Sequence, residues 1–150
     1  MSQTLKQLSN SQRNVDHLAV FIGNASNVEL LQQLDNWVIR GWLRALDRSF
    51  ATFILEQDPQ VQASVLLAAA MISHQLGRGH SCLDLAATLH APDFVLSLPP
   101  EGEEGSQLPS QWLLGLDIAQ WRRALALSPM VEDRDGAQRF PERPLVLTGQ

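Results

Sequence analysis

Eight consecutive residues, Val65 to Ile72, read VLLAAAMI and are apolar on every side of a helix. A surface helix keeps one polar face, so a segment like this fits a fully buried central helix around which the rest of the chain must organise. The helix is then stopped at Gly77. A Gly-Arg-Gly-His turn over Gly77, Gly79 and His80 hands the chain to Cys82, Leu83, Asp84 and Leu85.

The chain has 150 residues, enough for one domain with a sizeable core. Net charge is −5, so attraction to a phosphate backbone, averaged over the surface, is weak or repulsive. A free-standing DNA-binding module is not expected. Cys82 is the single cysteine, which excludes an internal disulfide and agrees with a reducing compartment. No apolar run approaches a bilayer span and MSQTLKQLSNSQRNVDH lacks the apolar stretch of a signal peptide. A cytoplasmic location away from membranes is the expectation.

Residues 1–25 are rich in Gln, Ser and Asn and read as a flexible tail, with residues 26–150 as the helical domain. Ser26 and Glu29 have capping-box spacing ahead of Leu30, Leu31, Leu34 and Val38, predicting a first helix from about Asn27 to Val38. Gly41 breaks the pattern. Asp47 is placed to cap a second helix with Leu46 as a staple and Phe50, Phe53 and Ile54 on one face. Asp58 and Pro59 pair a cap with a first-turn proline, opening the long helix to about Leu76.

Ser81 and Asp84 repeat the capping-box spacing and allow a short helix over Asp84 to Leu89, although Leu83 and Leu85 also suit an extended segment. Leu98 to Pro109, with its prolines, glycines and acids, is a surface loop. Ser110 can cap a turn through Trp112 and Leu113. Asp117 can cap a helix that turns Ile118, Trp121, Leu125 and Ala126 to the core. Val131 to Pro144 is charged and turn-like, and Pro144 to Thr148 reads as a strand without a partner, which suggests that the chain continues. The predicted class is mainly α: a small bundle of about five to six helices with a short C-terminal β segment.

Three separated blocks, Leu43 to Ala51 (LRALDRSFA), Ser64 to Leu85 (SVLLAAAMISHQLGRGHSCLDL) and Pro144 to Gly149 (PLVLTG), occur in an order that resembles the N-terminal region of the RecD family. RecD is the alpha subunit of bacterial exodeoxyribonuclease V, the RecBCD helicase-nuclease. The resemblance implies an ATP-driven helicase subunit that moves 5′ to 3′ on single-stranded DNA in double-strand break repair and recombination. It further implies that ATP and magnesium belong to downstream motor domains, that this region docks onto a RecC-like subunit, and that DNA is met through the whole complex. Gly77, Gly79, His80, Cys82, Leu83 and Leu85 are then structural marks of the family rather than catalytic groups.

The residues agree with that division of labour. A phosphate-binding loop needs a lysine after a glycine-rich turn, and the only lysine, Lys6, is followed by Gln7 with no such turn before it. Gly77 to Gly79 is too short to cradle phosphates and follows a helix, not a strand. No catalytic, cofactor or metal residues are assigned. His74, His80 and Cys82 could be drawn as a zinc set, or Cys82 as a nucleophile with His80 as its base, but no orienting third group is in view. The plainer reading makes Cys82 a small buried residue and His80 a turn residue bonded to backbone. Glu132, Asp133 and Asp135 read as a solvated loop, and Arg122 and Arg123 as an outward face beside Trp121.

Two sets remain as candidate contacts. Arg40, Arg44 and Arg48 recur every four residues and would form a basic stripe for single-stranded DNA if one helix ran through them, which Gly41 opposes. Trp37 and Trp42 flank that break. Core burial is their ordinary fate, and exposure would make them anchors for a partner.

Overall fold

A computed structural model describes residues 22–100, 102–103, 107–134 and 143–149. The central helix is the one that the apolar run demanded. It spans Ala63–Gly77, with Val65, Leu66, Leu67, Ala69 and Ala70 almost without solvent contact. Numbered in chain order, the helices among the described residues are α1 (Asn27–Ile39), α2 (Ala45–Gln57), α3 (Ala63–Gly77), α4 (Leu85–His90), α5 (Pro92–Leu96), α6 (Pro109–Trp112) and α7 (Ile118–Leu127). Strands β1 (Val131–Asp133) and β2 (Leu145–Leu147) complete a mainly α fold with a short C-terminal β segment.

Helices α1, α2, α5 and α7 all pack on α3, which explains how an all-round apolar helix becomes stable. Two polar side chains at these contacts find backbone partners. The Trp121 Nε1–H on α7 donates to Ser64 O at 2.9 Å, and Asn27 Nδ2 at the start of α1 donates to Val61 O at 3.0 Å. Ser26 and Asp117 cap as their spacing predicts, accepting from the amides of Glu29 and Gln120, whereas α4 is capped by Asp84, which accepts from the Ala87 amide, and not by Ser81.

Several boundaries differ from expectation. Asp47 is not the cap of α2 but its third residue, whose carboxylate reaches back to the Arg44 N–H at 2.8 Å, and Leu46 is exposed rather than stapled. Asp58 ends α2 instead of opening α3. Its carboxylate accepts from Ser128 Oγ at 3.2 Å, a partner 70 residues away that local sequence cannot reveal. Ser110 lies inside α6, Ala126 faces solvent, and α5 was not foreseen.

The supposedly lone strand has a partner. β1 and β2 run parallel with Val131, Glu132 and Asp133 opposite Leu145, Val146 and Leu147, so part of the stretch expected to be turn-like is extended. At the other terminus, residues 1–21 lie outside the described residues. Ile22 does not belong to a loose tail, because it is buried and its N–H donates to Trp112 O at 2.7 Å. No helix among the described residues is long and apolar enough to cross a membrane.

Candidate interaction site

The blocks 43–51 and 64–85 meet physically. Asp47 has no solvent exposure, and its Oδ1 accepts from Ser73 Oγ at 2.6 Å and from the Arg44 guanidinium at 2.8 Å. The same guanidinium nitrogen donates to Ser73 O at 2.8 Å. Burial pushes the Asp47 carboxyl up, but the hydrogen bonds from Arg44 and Ser73 and the nearby positive charge outweigh it and hold the group below its ordinary value of 3.8. One carboxylate thus ties the first turn of α2 to the last turns of α3.

Gly77 explains why glycine stands at the end of α3. A Cβ there would lie 2.5 Å from the Arg44 Cζ and 2.6 and 2.8 Å from its two terminal nitrogens, so the guanidinium lies on the bare backbone. Alanine is intrinsically better in a helix by about 1 kcal/mol. Here it would displace the half-exposed Arg44 guanidinium from Asp47, and the loss of that pair, softened by water, offsets the gain. Gly77→Ala is expected to change stability by less than about 1 kcal/mol in urea denaturation. With Arg44→Ala already present it should be neutral or stabilising, the signature of a direct clash in a double-mutant cycle.

The opposite flank of α3 grips α5. Gln75 Nε2 and Arg78 donate to Val95 O at 3.1 and 2.9 Å, the His74 Nε2 lies 2.8 Å from Leu96 O, and Arg78 also reaches Ser97 Oγ at 2.7 Å. Gly79, at φ +91°, supplies a left-handed turn that other residues adopt with strain, and the His80 N–H returns to Gln75 O at 3.0 Å. Cys82 is exposed, which corrects the expectation of a buried thiol: the chain leaves the helix end before it returns to the core at Leu83 and Leu85. His74 points into the protein while His80 and Cys82 face solvent, and no three His, Cys, Asp or Glu side chains among the described residues are placed to hold a metal. Of the acidic set, Glu132 and Asp133 lie on β1, and Asp135 is outside the described residues.

Both tryptophans offered as partner anchors are core residues. Trp37 is 1% exposed and Trp42 4%, and each indole N–H is used internally, by Gln107 O at 2.8 Å and by the Glu103 carboxylate respectively. The arginines form no stripe either. Gly41, at φ +77°, separates Arg40 at the end of α1 from Arg44 ahead of α2. Arg40 covers the Trp42 ring at 5.0 Å, Arg44 is committed to Asp47, and Arg48 pairs with Asp35 at 2.8 Å. Core burial of the tryptophans and carboxylate pairing of the arginines are the ordinary fates of both sets, and spacing alone shows neither the turn between the arginines nor their distant partners.

A family model described as the N-terminal domain of RecBCD enzyme subunit RecD matches residues 39–150, most of the chain and nearly all of the helical domain. The chain belongs to this RecD N-terminal domain family. No curated protein and no solved structure gives a significant match. The matched range begins at the last residue of α1 and includes the whole Arg44, Asp47, Ser73 and Gly77 node. In this family member, then, the Gly-Arg-Gly-His turn owes its glycines to packing and to chain reversal.

Proposed function

We propose that this domain is an assembly module of a RecD-like subunit of exodeoxyribonuclease V, docking an ATP-dependent 5′ to 3′ helicase motor onto a RecC-like subunit. The match to the RecD N-terminal domain over residues 39–150 carries the reading. The tight, internally satisfied polar groups around α3 support it, since they suit a rigid body for docking more than a reaction centre. In this reading ATP and magnesium act in the motor domains, and the domain itself supplies position.

Gel filtration of the chain with its RecC-like subunit at micromolar concentration should give a co-eluting complex, and clean separation would sink the reading. A direct DNA role makes the opposite demand. Fluorescence anisotropy with a single-stranded oligonucleotide at low salt should stay flat, because Arg44 and Arg48 are already paired. Salt-sensitive binding lost in Arg44→Ala or Arg48→Ala would instead favour a nucleic-acid contact.

A further inference from the structure

The docking reading leaves open which surface is used, and the α2–α3 pair suggests one. The two helices are antiparallel, with the Arg44 end of α2 against the Gly77 end of α3. Ser73 and Asp47 mark their contact line. Relative to that line, Leu46, Phe50 and Phe53 follow one another at i, i+4 and i+7 along one flank of α2. Ile72 and Leu76, four apart on α3, lie on the same flank of the pair, opposite to the flank where His74 meets α5. Solvent reaches three of these side chains, Leu46 at 62% exposed, Phe53 at 42% and Leu76 at 56%, while Phe50 is half-buried against the core and stacked on Phe53 at 6.4 Å between ring centroids.

The same flank of α3 is covered further back, where Val65 and Ala69 are fully buried and Trp121 of α7 donates to Ser64 O. The cover thins toward the end of α3, where Ile72 is half-buried and Leu76 exposed. Two antiparallel helices thus share one apolar flank, and the trough between two such helices is the kind of surface on which a third helix packs. No ionisable side chain interrupts positions 46, 50, 53 and 57 of α2 or 72 and 76 of α3, in a chain that carries net charge −5. A nucleic acid needs cations and finds none in this row. An apolar helical stripe meets a surface of its own kind.

We infer that this trough accepts an amphipathic helix of a partner subunit, which would complete the bundle beside α2 and α3. The inference rests on the docking reading. A family whose members are subunits of a multi-chain enzyme supplies the reason to place the occupant on another polypeptide.

The test is calorimetric titration of the chain into the RecC-like subunit, comparing the Leu46→Ser/Leu76→Ser double variant with a Val28→Ser/Leu127→Ser control. All four residues are exposed, so both variants should unfold at the wild-type midpoint. Affinity should fall about tenfold or more in the first variant and stay unchanged in the control. Wild-type chain that does not bind would overturn the docking reading itself. Wild-type binding that both variants retain would overturn only the placement in the trough. Wild-type self-association in sedimentation that the first variant abolishes would identify a second copy as the occupant and likewise overturn the proposal.

Discussion

Asp47→Ala is expected to lower stability by about 3 kcal/mol, measured by urea denaturation at neutral pH. The alanine removes the acceptor of three short bonds, from Arg44 N, Arg44 Nη2 and Ser73 Oγ. Ser73 is the costliest loss, because its hydroxyl is buried and left without a partner, whereas Arg44, about half exposed, can turn to water. The first turn of α2 also loses the carboxylate that closes its capping box, worth about 1 kcal/mol. Such a loss would loosen the join between α2 and α3, on which the proposed docking trough depends.

The same carboxylate predicts a pH dependence with a definite sign. The folded-state pKa of Asp47 lies below the unfolded value of 3.8, so its contribution is complete above 3.8 and is lost as pH falls through the folded value. The stability gap between wild type and Asp47→Asn should therefore be constant above about pH 5 and narrow below pH 4. A gap that widens on acidification would mean that Asp47 is destabilised as an anion.

What the sequence revealed, and what it hid, follows from the range of the interactions involved. The central helix was legible because Val65 to Ile72 leave no polar face, and Ser26 and Asp117 were legible as caps because capping acts within one turn. Asp47 was misplaced by one role. A carboxylate at the third helical position and one at the cap share the same local pattern, and only the reach back to Arg44 N separates them. Asp58 was misread because Ser128 holds it from another helix end, and β2 looked partnerless because β1 is a charged segment of low strand propensity. The arginines and tryptophans were the least legible. Their fates are decided by Asp35, Asp47, Glu103 and Gln107, and no periodicity in the chain announces those pairings.

Trp37 gives the sharpest separation between a core residue and an interface anchor. Its ring lies edge-on to Trp112 at 6.2 Å and 76°, and its N–H donates to the Gln107 carbonyl while Trp112 Nε1 donates to the Gln107 side chain at 2.9 Å. Gln107 sits at φ 63°, a left-handed conformation that these two indoles help to hold. Trp37→Ala would open a large cavity beneath α1 and strip the Gln107 carbonyl of its donor, for an expected loss of about 3–5 kcal/mol. Trp37→Phe keeps most of the ring and forfeits mainly the hydrogen bond, at about 1–2 kcal/mol. Both losses should appear as lower unfolding midpoints of the chain alone, with the phenylalanine variant still binding the RecC-like subunit at wild-type affinity while folded. An anchor in the interface would behave in the reverse way: the midpoint would hold and the affinity would fall, because the energy of an exposed tryptophan is realised only when a partner covers it.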